Sequence, residues 1–454
     1  MKMNKRIIIF SIFLIILVII PTMKPRVIHA ERLNVAYGGV WTAGDEKHYP
    51  VFFRIQKNNP PMITENGRQI LNKKNISIAV SHALKSVNES LPFNILFETE
   101  SEERKTEIDN PYSLAVAITR DDIVYEQFKT VVATIHKTLV NVGLVIILYQ
   151  TGKDPQTQKD RNAIVFSVPL VGYSMHLQGK KSLSDDEVDD LFILTASKTI
   201  RDHLVKRLKN IELEKIKGEI MRLEAGKAII NIGTLNGLED GQRIYFIDDQ
   251  GNKIGQGTVK GIQKTESIVI LDKDIKPSTH SKFFTYNVKG LSEETYQVVE
   301  FKISSKKVNQ LFDEKNLGVQ VAQWFSDFLV DRSGKTVLPP KVGGDWITSA
   351  TGVSFALLVK DGQAYQFEVP NPKYPVFLDL TGANSQMIEG NNVNEIWGYK
   401  AWLKVDIPTK KFSRKIDETA SKNLVHGIQQ YAEKDEFFDL IHQLTAKAAK
   451  EDGL

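Results

Sequence analysis

A stretch of short strand-like runs, broken by glycine, asparagine and aspartate, most constrains the fold of this chain. It reads NIGTLNGLEDGQRIYFIDDQG from Asn231 to Gly251 and continues through KIGQGTVKGIQ and ESIVILD. Runs of β-branched and aromatic residues between turn residues are typical of antiparallel strands joined by tight hairpins. Because little helical periodicity interrupts these runs, residues 211–288 are predicted to form a small closed or half-closed β-barrel.

Residues 31–210, ahead of the barrel, have a different pattern in which strand-like runs alternate with amphipathic helices. Apolar residues recur at helical spacing from Ile76 to Val87, so one face of that helix is predicted to pack on a core. The sequence from Ser184 to Glu187 is typical of a capping box, which satisfies free backbone N–H groups at the start of a second helix. The region is predicted to be a mixed α/β domain.

Residues 289–454, after the barrel, have a similar plan. A helix pattern runs from Val308 to Leu329, strand-like runs follow, and two closing helices are predicted over about 415–433 and 435–450. SLAVAITRDD in the first region and GVSFALLVKDG in this one are both apolar strands that end in a charged turn. The predicted fold class is therefore mixed α/β (α+β), with one mixed α/β domain on each side of a small all-β barrel.

The first 30 residues have the three parts of a secretory signal peptide. Lys2, Lys5 and Arg6 form a charged start, and an apolar run of 14 residues then leads to Ala30, after which a signal peptidase is predicted to cut. The run is shorter than the roughly 20 residues that a membrane-spanning helix needs. The chain is therefore predicted to be exported to the periplasm or the cell-wall space. The alternative is an uncleaved N-terminal signal anchor in the inner membrane.

Charge and cysteine content exclude several partners and chemistries. The chain has 59 Lys and Arg against 55 Asp and Glu, but the first 30 residues hold five of the bases and no acid, which leaves 54 against 55. This balance argues against nucleic acid or an acidic lipid surface as a partner, so only an uncleaved signal segment would contact the membrane. The absence of cysteine excludes disulfides, thiolate nucleophiles, cysteine-ligated metals and an acylated N-terminal cysteine.

The sequence contains no recognisable motif for catalysis, cofactor binding or metal binding. The nine histidines are scattered without metal-ligand spacing, and four of them lie in helical patterns, namely His136, His203, His426 and His442. The segment DRSGKT lacks the glycine that a phosphate-binding loop needs, and Leu329 stands there instead. The chain is therefore predicted not to be an enzyme and to use no cofactor, and no catalytic, cofactor-binding or metal residue is assigned.

Four of the five tryptophans lie in the third region, namely Trp324, Trp346, Trp397 and Trp402. Rigid aromatic rings often mark a binding face, because they offer contact area at a small entropic cost. Strands also favour aromatic residues for packing. Core positions are therefore favoured for these four tryptophans, and a binding face is the alternative.

The barrel sequence resembles the small C-terminal barrel of the flagellar assembly protein T family over residues 220–270, through AIINIGTLNGLEDGQRIYFI, GNKIGQGTVKGI and ESIVIL. The plan of residues 31–210 is similar to the TolB N-terminal type of α/β domain, found in the same flagellar proteins, the curli secretion channel protein and lipoprotein activators of cell-wall synthases. The resemblance implies two TolB N-terminal-like domains that flank an SH3-like barrel, and it carries over no catalytic residue. It implies turn-forming roles for six barrel glycines, which are Gly233, Gly237, Gly241, Gly251, Gly255 and Gly257. In this chain, however, the barrel is central and the acylated cysteine of those lipoproteins is missing.

These expectations favour an exported, non-enzymatic envelope scaffold or assembly protein of the flagellar or surface-structure type. Its partners would be other envelope proteins or copies of itself, bound through sheet edges and barrel loops. The alternative is a cell-wall or polysaccharide binding module, in which the tryptophans of residues 289–454 stack on sugar rings. An enzyme of unrecognised type is the third hypothesis.

Overall fold

The structure is a computed structural model of the chain, and it describes residues 32–43, 53–56, 62–63, 73–97, 112–129, 134–153, 160–178, 183–272, 275–291, 294–333, 335–342, 347–350, 353–360, 363–427 and 429–454. The predicted signal peptide over 1–30, its cleavage site after Ala30 and the predicted binding residue Trp346 lie outside the described residues. Within these residues the fold is mixed α and β and is mostly sheet, which confirms the predicted class at this level. No helix in them is long and apolar enough to cross a membrane.

The elements ahead of the barrel are, in chain order, β1 (Asn34–Ala43), β2 (Phe53–Gln56), β3 (Met62–Ile63), α1 (Lys73–Val87), β4 (Asn94–Leu96), β5 (Tyr112–Lys129), β6 (Thr134–Lys153), β7 (Asp160–Gln178) and α2 (Asp185–Leu208). The barrel strands are β8 (Glu212–Glu224), β9 (Lys227–Ile230), β10 (Arg243–Ile247), β11 (Lys253–Ile262), β12 (Ser267–Leu271) and β13 (Lys282–Lys289). After them come β14 (Thr295–Ile303), α3 (Lys306–Leu311), α4 (Glu314–Ser333), β15 (Thr336–Val337), β16 (Ile347–Ala350), β17 (Val353–Lys360), β18 (Gln363–Val369), β19 (Tyr374–Gly390), β20 (Asn394–Ile407), β21 (Phe412–Val425) and α5 (Gln429–Ala448).

The first sheet has a parallel centre and an antiparallel extension. β1 pairs in parallel with β4 and with β5, and the sheet continues antiparallel through β6 and β7. Helix α2 packs on α1 and on β6 and β7. It begins at the predicted capping box, because the Glu187 carboxylate accepts from the Ser184 backbone N–H at 2.7 Å while the Ser184 hydroxyl accepts from the Glu187 N–H.

Strands β8–β13 close into a six-stranded barrel in the order β10-β11-β12-β9-β8-β13, which confirms the predicted β-barrel. Its interior is apolar and includes Ile220, Phe246 and Phe283, all fully buried. A buried ion pair stabilises the barrel by joining β10 to the residue that follows β12, across the intervening strand β11. The guanidinium of Arg243 donates to both carboxylate oxygens of Asp272, at 2.6 and 3.2 Å.

After the barrel, a second open sheet forms in the order β15-β14-β19-β20-β21. Helices α4 and α5 pack against each other and cover one face of this sheet. The core between them is built from large apolar side chains, such as Phe325 of α4, Phe437 of α5 and Leu403 of β20, none of which is exposed.

The first sheet and the sheet after the barrel share one plan. In each, a first strand pairs in parallel with a short strand and a long one, and two further strands then continue antiparallel. Helix α1 or helices α3 and α4 follow the first strand, and α2 or α5 follows the last. We call β1, α1, β4–β7 and α2 the N-terminal repeat, and β14, α3, α4, β15, β19–β21 and α5 the C-terminal repeat.

The two repeats share a β-bulge in their first strand. The pairing of β1 with β5 skips one residue of β1 between Tyr37 and Gly39. The pairing of β14 with β19 skips one residue of β14 between Val298 and Glu300. A bulge inserts one extra residue and bends the strand, and it usually persists within a family of structures.

A second bulge also falls at matching positions. It follows Ile118 in β5 and Leu380 in β19. In each repeat, this position lies four residues after the residue of the same strand that pairs with the last position before the first bulge. The extra residue is a threonine in both, Thr119 and Thr381. The two matching bulges align the repeats residue by residue. In this alignment, which we call the register of the bulges, Leu170 of β7 corresponds to Ile416 of β21.

This register corrects the predicted likeness between SLAVAITRDD and GVSFALLVKDG. The first lies in β5, and its counterpart is PVFLDLTGAN in β19. The second lies in β17, which belongs to a three-strand insertion between β15 and β19. Apolar alternation alone does not distinguish two such strands, because both bury one face.

The inserted strands join the first sheet and not the second. β17 pairs antiparallel with β1, and β18 pairs with β7 at residues 162–163, so a ring closes through β1, β5, β6, β7, β18 and β17. The interior of this ring contains Trp41, Tyr149 and Phe367. Residues 347–369, placed by the sequence in an α/β domain over 289–454, therefore pair with strands of residues 31–210.

The closing helix predicted over about 415–433 is wrong, because β21 occupies most of it. β21 pairs with β20 along its whole length, from Phe412 opposite Ile407 to Val425 opposite Asn394. Its mostly polar sequence has no strong local preference, so the backbone hydrogen bonds offered by β20 decide its conformation. One helix, α5, follows, and the predicted Val308–Leu329 helix is divided into α3 and α4.

Candidate functional site

The predicted binding tryptophans do not form one surface. Trp324 is buried in the core under α4. Trp397 is half-buried against the same core, and its indole N–H donates to Glu395 at 2.8 Å. Trp402 lies on the opposite face of the sheet, where its ring covers Gly382 between two lysines. Trp402 alone among these three presents its ring to the open face.

Three of the predicted barrel glycines adopt the conformation that favours glycine in turns. Gly237, Gly241 and Gly251 have φ of 75°, 82° and 87° and lie between strands. A side chain in this left-handed region is strained, because Cβ approaches the following carbonyl oxygen. The local chain reversal therefore depends on glycine at these positions.

The other three barrel glycines are needed for close packing. Gly255 and Gly257 lie inside β11 and not in turns, and a Cβ at either would stand 2.5 or 2.6 Å from a neighbouring side chain. A Cβ at Gly233 would stand 2.2 Å from the carbonyl oxygen of Gln263. These approaches exclude larger residues without any requirement for a positive φ.

A shallow cleft of about 500 Å³ lies on the open face of the second sheet and is lined by several charged groups. Its lining residues are Glu300, Lys302, Phe377, Leu378, Asp379, Asp406, Pro408, Lys411, Phe412 and Ser413. The hydrogen bond to Glu300 raises the pKa of Lys302. Burial acts to raise the pKa of Asp406, but hydrogen bonds with Lys404 and Ser413 lower it overall. These groups are therefore held in their charged, paired forms, which suits a solvated surface better than proton transfer.

The described histidines do not assemble a metal site. His136 lies in β6 and His426 in the turn after β21, so the helical positions predicted for these two are wrong, whereas His203 and His442 lie in α2 and α5. Within the ranges that the structure describes, no three His, Asp or Glu side chains are grouped as metal ligands.

Exposed apolar side chains give a clearer signal. Half of the fourteen large apolar side chains that are exposed among the described residues fall into two groups. One group, Met387, Ile388, Val393 and Val425, surrounds the hairpin between β19 and β20. The other is Tyr173, Met175 and Leu177 on β7, each 55–56% exposed, which we call the β7 strip. Clustered exposed apolar residues commonly mark interaction sites.

The β7 strip combines three side chains on one face with a backbone edge that no described strand pairs with. Alternate residues of a strand face the same side, so the three side chains stand in one row. One edge of β7 pairs with β6 throughout this segment, as with Leu177 opposite Lys137. Along the other edge, β18 pairs only at residues 162–163, and no further described strand pairs with residues 170–178.

Helix α2 holds this end of β7 rigidly from one side. The Thr195 hydroxyl lies 2.8 Å from the Ser174 hydroxyl, and a Cβ at Gly172 would stand 2.0 Å from the Thr199 hydroxyl. Arg207 donates to the carbonyl oxygen of Pro169 at 2.6 Å. These contacts with α2 therefore fix the position of the β7 edge.

Helix α5 of the C-terminal repeat holds the same end of β7 from the other side. The Tyr173 and His442 rings pack edge to face, with their centroids 6.2 Å apart. Lys137, which lies beside the strip, forms an ion pair with Asp435. Burial lowers the pKa of His442, although Asp439 and Asp327 oppose this shift. The same burial, together with Asp435, raises the pKa of Asp439.

The C-terminal repeat shows that this fold does not require an apolar strip. By the register of the bulges, the residues that correspond to Tyr173, Met175 and Leu177 are Thr419, Ser421 and Asn423 of β21. All three are polar and exposed. One architecture thus carries a polar edge in one repeat and an apolar edge in the other, which indicates a specific role for the apolar one.

The alternation YSMHL at the end of β7 is a local signal for this surface, but it indicates burial as readily as exposure. No model of a known protein family matches the chain, and a search of curated proteins finds no similar sequence. A function for the chain therefore has to be inferred from the geometry of its own surface.

Proposed function

We propose that this chain is an exported, non-enzymatic scaffold or assembly protein of the cell envelope, which acts through protein–protein contacts of the flagellar or surface-structure type. The observation that carries the proposal is the β7 strip, where three exposed apolar side chains lie beside an unpaired strand edge. A partner strand that pairs with such an edge gains main-chain hydrogen bonds, while alternate side chains supply specificity. The paired charges of the cleft on the second sheet agree with a surface role.

The proposed architecture is that of two TolB N-terminal-like domains separated by an SH3-like barrel. Its support is the shared topology of the two repeats, their matched bulges and the position of the closed barrel between them in sequence. Export is supported by the signal-like first 30 residues. The periplasm or the cell-wall space is the corresponding location.

The test is site-specific photocrosslinking in cells of the source organism. A photoreactive amino acid at Met175 should yield a crosslinked adduct with an envelope protein or with the chain itself. The same amino acid at Ser421, its counterpart in the C-terminal repeat, is the matched control and should yield much less. Cell fractionation of the same samples tests export.

The triple variant Tyr173→Thr, Met175→Ser and Leu177→Asn gives the strip the residues of the C-terminal repeat. It should fold normally, because the same side chains occupy the corresponding edge of β21. It should also lose the adduct when the photoreactive amino acid is placed at the neighbouring Leu139. A chain retained in the cytoplasm, or equal crosslinking at Met175 and Ser421, would contradict the proposed function.

A further inference from the structure

We infer that the partner at the β7 strip is a second copy of this chain, whose β7 pairs antiparallel with the first across a two-fold axis. The inference rests on the proposed function and names the partner and the mode of contact. The absence of charge along the edge and the self-complementary order of its side chains favour a second copy as the partner.

The edge carries no Asp, Glu, Lys or Arg along its exposed end, where Tyr173, Met175, His176 and Leu177 are exposed, whereas Leu170 is buried and Val171 packs on the core of the second sheet. Residues 170–178 read LVGYSMHLQ and contain no Asp, Glu, Lys, Arg or Pro. Edge strands of soluble proteins are usually protected from pairing by such residues. A two-fold axis brings each residue near its own copy, so any charge close to the axis would meet a like charge. Residues 170–178 place no such charge near the axis. They also lack the charged residues and prolines that usually protect an edge strand from pairing.

The corresponding edge of the C-terminal repeat is protected in the usual way. The counterpart of residues 170–178 is the segment 416–424 of β21, which carries three charged residues, namely Asp417, Glu418 and Lys422. The Lys447 ammonium also donates to the backbone carbonyl oxygen of Asp417 at 2.8 Å, which occupies part of that edge. The edge strand of the C-terminal repeat is thus protected against association, whereas that of the N-terminal repeat is not.

The side chains of β7 are complementary to themselves. With the axis at Met175, Tyr173 of one copy lies opposite Leu177 of the second, and the two Met175 side chains meet. On the other face, the polar residues Ser174 and His176 lie opposite each other. Aromatic–aliphatic pairs across strands are stabilising, and an isologous contact of this kind closes as a dimer.

The absence of cysteine makes a clean test possible. A single engineered thiol can form a disulfide only with another copy, because the wild-type chain has none. Tyr173→Cys, Met175→Cys and Leu177→Cys should each be oxidised under mild conditions and compared with Ser421→Cys on β21. Residues opposite each other in an antiparallel pair have Cβ atoms about 4.5–5.5 Å apart, close to the distance that a disulfide needs.

The expected result is that the yield of disulfide-linked dimer is highest at one of the three positions, which is Met175 if the axis lies there. The yield should be several-fold lower at the neighbouring strip positions and at Ser421. The fall arises because each two-residue step from the axis separates the paired thiols by about 13 Å, given the strand rise of about 3.3 Å per residue. Sedimentation of the uncrosslinked wild-type chain should show a concentration-dependent dimer, and the Thr/Ser/Asn triple variant should remain monomeric.

Two results would overturn the inference. One is a monomeric wild-type chain whose three strip thiols crosslink no more than Ser421→Cys. The other is an open-ended series of larger oligomers, which a closed two-fold contact does not produce. If either is found while photocrosslinking at Met175 still traps an envelope protein, the self-pairing fails and the proposed scaffold function stands. If no adduct of any kind forms, both fail.

Discussion

Removal of the Asp327 carboxylate should destabilise the whole chain, because it leaves a buried charge without its partner. Asp327 of α4 pairs with Arg207 of α2, so this contact joins the two repeats. The side chain of Arg207 is 2% exposed and that of Asp327 11% exposed. Water therefore cannot replace the lost carboxylate.

The size of the effect follows from this burial. Breaking a buried ion pair at one partner typically costs about 3–5 kcal/mol, and the remaining hydrogen bond from Arg207 to the Pro169 carbonyl oxygen favours the lower end. With an unfolding entropy of about 2 cal/mol/K per residue, summed over the compact unit Asn34–Leu454, Asp327→Ala should lower Tm by about 3–6 °C.

Calorimetry and urea denaturation of purified Asp327→Ala would measure this loss. The double variant Arg207→Met with Asp327→Leu should recover most of the stability, because it buries no charge and retains apolar volume. Asp417→Ala, which breaks an exposed pair with Lys400, should leave the transition almost unchanged. A free energy of unfolding for Asp327→Ala within about 1 kcal/mol of wild type would refute the assigned role of the pair.

Three smaller predictions concern the barrel, the acid response and a helix cap. Gly257→Ala should destabilise the barrel by about 1–3 kcal/mol through overpacking, because its Cβ would meet backbone and side-chain atoms at 2.6–2.7 Å. Gly251→Ala, whose Cβ meets no atom within 4 Å, should cost only the left-handed strain of about 1–2 kcal/mol. A urea midpoint of Gly257→Ala equal to that of wild type would contradict the packing argument. The unfolded chain binds a proton at His442 more readily than the folded chain does, so stability should fall as pH drops below about 6.5. His442→Phe keeps the ring contacts and should lose stability less steeply between about pH 7 and 5, and parallel pH profiles would exclude His442 as a source of the slope. Ser184→Ala should cost about 1 kcal/mol, because α2 loses its capping hydroxyl, and an unchanged melting temperature would show that the cap contributes nothing.

Features encoded by neighbouring residues could be predicted from the sequence. The barrel was predictable because its turns are encoded locally, with glycine at Gly237, Gly241 and Gly251 where φ is positive. The start of α2 was predictable for the same reason, since a capping box lies within four residues. These signals depend on short-range sterics and hydrogen bonds, so they need no knowledge of the rest of the fold.

Features that depend on distant pairing could not be predicted. β21 is a strand because β20 offers it a full ladder of hydrogen bonds, whereas its own mostly polar residues have no strong local preference. GVSFALLVKDG was read correctly as a strand, but only the pairing of β17 with β1 shows that it belongs to the first sheet. Strand order is set by contacts across hundreds of residues, which alternation within one strand does not encode.

The candidate site shows the same division. The row of Tyr173, Met175 and Leu177 is written in the sequence, as is the absence of charge around it. Whether that row is buried or exposed depended on the tertiary structure, because the same alternation suits a core strand. The sequence by itself determined local conformation and the chemistry of each strand face. The tertiary structure decided which edges are paired and which are left open, because an edge exists only once every other strand has been placed.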